Sequence, residues 1–143
     1  MFTFMMRKNK PLPKATEFEL DLLRTLWRLG PATVRDLHED LSRERTLGYT
    51  SVLKTLQIMT EKGLVTREES ARAHIYSAAA TQEETQSQFL RDLSERLFAG
   101  SAAQLALHAL AMQPATAGDL KKIRKLLEDK QDKQDKQDKK EKR

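Results

Sequence analysis

The sequence predicts a mainly α-helical protein with one small β-hairpin, organised in two successive parts. Three observations carry this expectation. Apolar residues recur at three- and four-residue spacing in six separate segments, a single pair of short runs alternates with period two, and glycine or proline closes four of the helical segments.

Pro11 and Pro13 close an N-terminal arm, residues 1–13, that is expected to be flexible. Thr16 and Glu19 form a capping-box pattern that opens the first helix. Its apolar positions are Leu20, Leu23, Leu26 and Trp27, and Gly30-Pro31 stops it near Leu29. Thr33 caps a second helix reading Val34 to Leu41, with Val34, Leu37 and Leu41 inward. A polar connector, Ser42 to Leu47, leads through Gly48 into a third helix, Tyr49 to Lys62, whose apolar stripe is Val52, Leu56 and Met59, flanked by Leu53. After Gly63, the runs Leu64 to Glu68 and Ala73 to Ser77 alternate as strands about a polar tip, residues 69–72. Three helices and a hairpin in this order make a winged helix-turn-helix domain, residues 14–80.

From Thr81 the pattern is helical only. Thr81 and Glu84 repeat the capping box, and Phe89, Leu90, Leu93 and Leu97 form a stripe that ends at Gly100. A further helix, Ser101 to Met112, presents Leu105, Leu107 and Leu110. The last, Ala117 to Asp129, presents Leu120, Ile123, Leu126 and Leu127. Three amphipathic helices of this length enclose little core alone, so residues 81–129 are expected to form a helical dimerisation domain whose stripes meet those of a second copy. Residues 130–143 repeat Lys-Gln-Asp without an apolar residue and are expected to be a charged, disordered tail.

Charge is unevenly distributed. Residues 1–80 carry 13 basic and 10 acidic groups, residues 81–129 carry 6 and 7, and residues 130–143 carry 7 and 4. A basic first part ahead of a near-neutral second part suits a polyanion-binding head on an assembly body. The absence of cysteine excludes disulfides, thiolate metal sites and a cysteine nucleophile. His38, His74 and His108 lie on separate elements and read as surface or satisfied core, no phosphate loop is present and no paired carboxylates sit beside a pocket-forming segment, so neither catalytic residues nor a metal or cofactor is expected. The opening apolar run is too short for a signal peptide, and no segment approaches the roughly 20 apolar residues of a membrane span. A cytoplasmic location without membrane insertion is the expectation.

Burial of Val52, Leu56 and Met59 turns Thr50, Ser51, Lys54, Gln57 and Ile58 outward, with Thr55 at the edge. Small hydroxyl side chains at a helix start let the backbone approach a phosphate, which the helix N-terminus favours electrostatically. Lys54 and Gln57 have the reach to meet base edges or further phosphates in double-stranded DNA. Arg67, Arg72 and His74 cluster on the hairpin, where a wing lies along the sugar-phosphate backbone. Tyr49 either stacks on a sugar or caps the helix against the core. Ile58 suits a thymine methyl, a packing place under the wing or simple exposure, and the residues leave these open. A winged helix used as a protein-interaction module is the alternative reading, but it calls for an apolar outer face, which only Ile58 supplies.

The stretch Gly48-Tyr49-Thr50-Ser51-Val52-Leu53-Lys54-Thr55-Leu56, followed by Glu61-Lys62-Gly63-Leu64-Val65, resembles the penicillinase-repressor family of the BlaI, MecI and CopY type. Leu26-Trp27 and Gly30-Pro31-Ala32-Thr33-Val34 add to the likeness, which covers roughly residues 13–128. The resemblance implies a homodimeric repressor of a resistance or metal-homeostasis operon, acting on a palindromic operator. It also implies a membrane sensor-protease as partner, which relieves repression by cutting the dimerisation domain. The Asn-Phe pair cut in the best-known members of the β-lactam branch aligns with His108-Ala109 here. Many members carry Arg at the position of Ile58 and Gly at that of Ala71. The cysteine-rich copper motif of one branch is missing, which excludes copper sensing of that kind.

Overall fold

The computed structural model describes residues 14–70 and 72–142. The expected N-terminal arm, residues 1–13, and Ala71 of the wing lie outside the described residues. Among the described residues the order is α1 (Glu17–Leu29), α2 (Val34–Leu41), α3 (Tyr49–Lys62), β1 (Val65–Glu68), β2 (Ile75–Ala78), α4 (Gln82–Leu97), α5 (Ala102–Met112) and α6 (Ala117–Glu141). This is the mainly helical, winged helix-turn-helix fold class that the sequence predicts. The chain divides into two compact units, Met1–Leu93 and Ser94–Arg143, and the division falls inside α4.

In the first unit, Thr16 and Glu19 form a reciprocal cap on α1. The Thr16 N–H donates to Glu19 Oε1 at 2.9 Å, and the Glu19 N–H donates to Thr16 Oγ1 at 3.2 Å. The buried stripe of α1 contains Glu19, Leu22, Leu23 and Leu26, while Leu20 and Trp27 are half-buried. The expected stripe started at Leu20 because its true first member is a carboxylate, which a search for apolar periodicity passes over. On α2, Val34 and Leu37 are buried behind a second reciprocal cap, Thr33 with Asp36. Val52, Leu56 and Met59 of α3 are fully buried. Gly63 ends that helix in the left-handed conformation at φ 82°, where a side chain would be strained.

Strands β1 and β2 pair antiparallel, from Val65 opposite Ala78 to Glu68 opposite Ile75. Ala32, in the connector between α1 and α2, adds a further bridge to this hairpin. Its N–H donates to the Tyr76 carbonyl at 3.0 Å, and the Tyr76 N–H donates to the Ala32 carbonyl at 2.8 Å. Trp27 Nε1 donates to the Ala80 carbonyl at 3.0 Å, tying α1 to the chain just after β2. One core results, with Leu22, Leu37, Val52, Leu56, Met59 and Tyr76 at its centre. The unit runs past the expected boundary at residue 80 because α4 begins on it. Thr85 is buried, and Phe89 lines a void of about 10 Å³ with Ala15, Leu23, Gly63, Leu64 and Ala80.

In the second unit, the turn between α4 and α5 uses two left-handed residues, Ala99 at φ 49° and Gly100 at φ 82°. The N–H groups of Phe98 and Gly100 both donate to the Ser94 carbonyl at 2.9 Å. Ser101 and Thr116 cap α5 and α6 through hydroxyls that accept from the Gln104 and Asp119 N–H groups. No residue of α5 or α6 is buried.

The tail expected to be disordered beyond residue 129 is helical to Glu141 in this structure. Its repeat explains why. Asp129, Asp132, Asp135 and Asp138 each precede a lysine by four residues, the orientation that best supports an exposed helix. Gln131 and Gln134 donate to Asp135 and Asp138 at 3.1 and 3.2 Å along the same spacing. Among the described residues no helix is long and apolar enough to cross a membrane.

Glu19 also accepts from Lys62 Nζ, at 2.6 Å to Oε1 and 3.1 Å to Oε2, although only 2% of the residue is exposed. Burial pushes its carboxyl up. The Lys62 ammonium and the Thr16 N–H and hydroxyl outweigh that and hold it below the usual glutamate value. The stabilisation is therefore present above the ordinary glutamate range and disappears as pH falls through the lowered folded-state value. Lys62→Ala is expected to cost about 2 to 3 kcal/mol at neutral pH, the worth of hydrogen bonds to a buried charge. Urea denaturation of both chains across acid pH checks this, and the gap between them should close as Glu19 protonates.

Candidate nucleic-acid interface

The candidate site starts from the two faces of α3. With Val52, Leu56 and Met59 inside, Thr50, Ser51, Lys54, Gln57 and Ile58 are exposed on the opposite side, and Thr55 is half-buried between them. Thr55 Oγ1 donates to the Ser51 carbonyl at 2.8 Å, so this hydroxyl is already engaged by its own helix. Thr50 and Ser51 stand in the first turn, at the start of the helix.

That first turn is unusual among the described helices of the first unit. The N-cap of α3 is Gly48, which supplies no side-chain hydrogen bond, whereas threonine hydroxyls cap α1 and α2. The leading N–H groups of α3 thus have no side-chain acceptor, and the partial positive charge at the helix start has no acidic residue in the first turn to offset it. An anion approaching Thr50 and Ser51 meets free N–H donors, two small hydroxyls and Lys54 one turn later.

Tyr49 is 48% exposed and meets the His38 ring edge-on, with ring centroids 5.8 Å apart. The His38 ring of α2 is thus its aromatic neighbour, and about half of the residue stays open to solvent. Ile58 is 44% exposed. Lys62, on the last turn of the same helix, is drawn to Glu19 and is no part of the outer face.

On the hairpin, Arg67 lies opposite Tyr76 and reaches Glu69 at 3.4 Å, so its charge is partly offset. Arg72 and His74 are exposed and have no ion-pair partner among the described residues. Ser70 braces the wing tip, its hydroxyl donating to the Ala73 carbonyl at 2.5 Å and accepting from the Ala73 N–H at 3.3 Å. Only Gly63 and Leu64 separate the two parts, since α3 ends at Lys62 and β1 starts at Val65.

Three contacts that shape the site are not legible in the sequence. Glu19 and Lys62 meet across 43 positions, and Trp27 reaches Ala80 across 53. His38 was read only as surface or satisfied core, yet its Nε2 lies 2.7 Å from the Leu47 carbonyl. No local spacing announces such contacts. The Thr16-Glu19 cap was the sole visible hint that Glu19 faces inward.

A family model described as the penicillinase repressor matches residues 15–129. The chain belongs to the penicillinase repressor family. Two curated relatives, both named transcriptional regulator BlaI, come from Mycobacterium tuberculosis strains CDC 1551 and H37Rv. Each is 40% identical over 67 residues, which is 46% of this chain and 49% of the relative. The chain thus matches about half the length of these relatives. Among solved structures, the DNA-binding domain of the repressor BlaI aligns over 52% of this chain and 92% of its own, at 17% identity and a TM-score of 0.47. The Bacillus licheniformis BlaI monomeric form in complex with the blaP half-operator aligns over 51% and 89%, at 16% identity and 0.45.

The two faces of α3 should separate in mutagenesis. Leu56→Ala is expected to cost about 2 to 5 kcal/mol of stability, as a fully buried leucine truncated to a cavity. Lys54→Ala should stay within about 0.5 kcal/mol of the parent chain. Chemical denaturation of the three chains reads both values.

Proposed function

We infer that this chain is a transcriptional repressor that binds a palindromic operator as a homodimer. Helix α3 enters the major groove, and the β1–β2 hairpin lies along the adjacent sugar-phosphate backbone. The observation that carries this reading is the division of α3. One side is sealed in the core, and the other offers Thr50, Ser51, Lys54 and Gln57 beside an uncapped N-terminus. In this role Thr50 and Ser51 admit a phosphate to the helix start, while Lys54 and Gln57 reach bases. Arg67, Arg72 and His74 contribute sequence-independent attraction from the wing, and the protein acts in the cytoplasm.

Homodimer formation is supported by the apolar residues left outside both units. Phe89, Leu90 and Leu93 of α4 are exposed, as are Leu97, Leu107, Leu110, Leu120 and Leu127 further along, with Leu97 at 69% and Leu107 at 62%. Leu105 and Ile123 are half-buried. So many exposed leucines, on α4 and on two further helices with no buried residue, are the pattern of an interface that a second copy covers.

Relief of repression by a membrane sensor-protease belongs to the same reading. The aligned bond, His108-Ala109, lies inside α5, and the His108 ring contacts Phe98 at 5.7 Å. A protease would have to unwind this helix to cut it. Incubation with the cognate protease should give fragments parting between residues 101 and 112, and an intact chain would remove this part of the proposal.

Operator binding should weaken log-linearly with salt, and a salt-insensitive complex would argue for a protein partner instead. Lys54→Ala is expected to lower affinity by about 1 to 3 kcal/mol with blurred preference at one position if it reads a base, or uniformly if it meets phosphate. Gel-shift titration against a panel of single-base operator variants distinguishes these. Leu93→Asp or Ile123→Asp should convert the dimer to monomer in sedimentation analysis and abolish simultaneous occupation of both half-sites.

A further inference from the structure

We propose that His38 is a positioning residue that sets the start of the recognition helix α3, an inference that rests on the DNA-binding reading above. The connector before α3 is held unevenly. Its first part is tied to α2 through the Ser42, Arg43 and Glu44 N–H groups, and Arg45 pairs with Asp21 at 2.6 Å while lying over the Phe18 ring. From residue 46 to 48 these ties stop. Among the described residues, the one hydrogen bond that reaches this backbone from outside α3 comes from His38 Nε2, 2.7 Å from the Leu47 carbonyl.

The same imidazole meets Tyr49 edge-on, with an interplanar angle of 72°. A single side chain therefore grips both neighbours of Gly48, one through a carbonyl and the other through a ring. Gly48 itself has no side chain to cap the helix and nothing to restrict its own backbone. Threonine hydroxyls define the starts of α1 and α2. At α3 a residue from the preceding helix takes that task, leaving the leading N–H groups open toward the ligand side.

In this arrangement Nε2 carries the proton and donates to the carbonyl. The hydrogen bond fixes where the first turn of α3 begins, and the ring edge orients Tyr49. His38 is half-buried on α2 and acts on DNA only through these two neighbours.

Two variants separate the contacts. His38→Gln keeps a donor of similar reach and loses the ring, while His38→Phe keeps a ring and loses the donor. The probe is a duplex selected by the wild-type chain from a random-sequence pool. His38→Phe is expected to weaken binding about 5- to 10-fold, the worth of one hydrogen bond, and His38→Gln to recover most of it. The slope of log affinity against log salt should stay unchanged in both, because no phosphate contact is lost. In the free protein, amide shifts and hydrogen exchange at Gly48, Tyr49 and Thr50 should change in His38→Phe, with those of the core retained.

A slope reduced by about one would overturn the proposal, since His38 would then touch phosphate itself. Unchanged affinity and unchanged Gly48 to Thr50 amides in His38→Phe would also overturn it. If the wild-type chain selects no duplex, the DNA-binding reading fails, and the free-protein amides still decide whether His38 holds the helix start.

Discussion

Three residues spaced at one helical turn, Val52, Leu56 and Met59, must leave water together, and this requirement organises the first unit. Each is fully buried against α1, α2 and the hairpin, so α3 has one permitted rotation about its axis. A half-turn would expose Leu56 and bury Lys54 and Gln57, and burying a charged or amide group without partners costs more than the packing returns. The polar face is thereby aimed outward by the apolar one. Gly63 then directs the chain into β1 at once, so the wing inherits its place from the end of the same helix.

Long-range polar contacts refine what apolar burial leaves loose. Burial alone permits some sliding along the helix axis, since leucine contacts are non-directional. Lys62 on Glu19 holds the last turn of α3 to the first turn of α1, and His38 on Leu47 holds its beginning to α2. Trp27 to Ala80 and the Ala32–Tyr76 pair fasten the hairpin to α1 and its connector. These are directional bonds in a partly dry setting, where a carboxylate and an ammonium interact more strongly than at the surface.

The second unit follows a different logic. Its helices are well capped, by Ser101 and Thr116, and its turn spends two left-handed residues on a tight reversal, yet neither α5 nor α6 buries a residue. Local signals suffice to form helices here without forming a core. The Lys-Gln-Asp extension carries this furthest: it is an exposed helix whose side-chain hydrogen bonds run along its own surface. Helix formation and burial are thus separate events in this chain, joined in the first unit and apart in the second.

What the sequence determined by itself is whatever depends on neighbours within a few residues. Caps at Thr16, Thr33 and Thr81, stops at Gly30, Gly63 and Gly100, the apolar period of α3 and hence its outward face all follow from spacing. The family could also be read from the run around Gly48 to Leu56. Tertiary structure decided the rest. It made Glu19 a buried charge, extended the hairpin through Ala32, carried the first unit into α4 through Thr85 and Phe89, and brought His38 to the start of α3. The physical reason is common to all four: each depends on partners far along the chain, and residue spacing records only what a helix or strand does to its own neighbours.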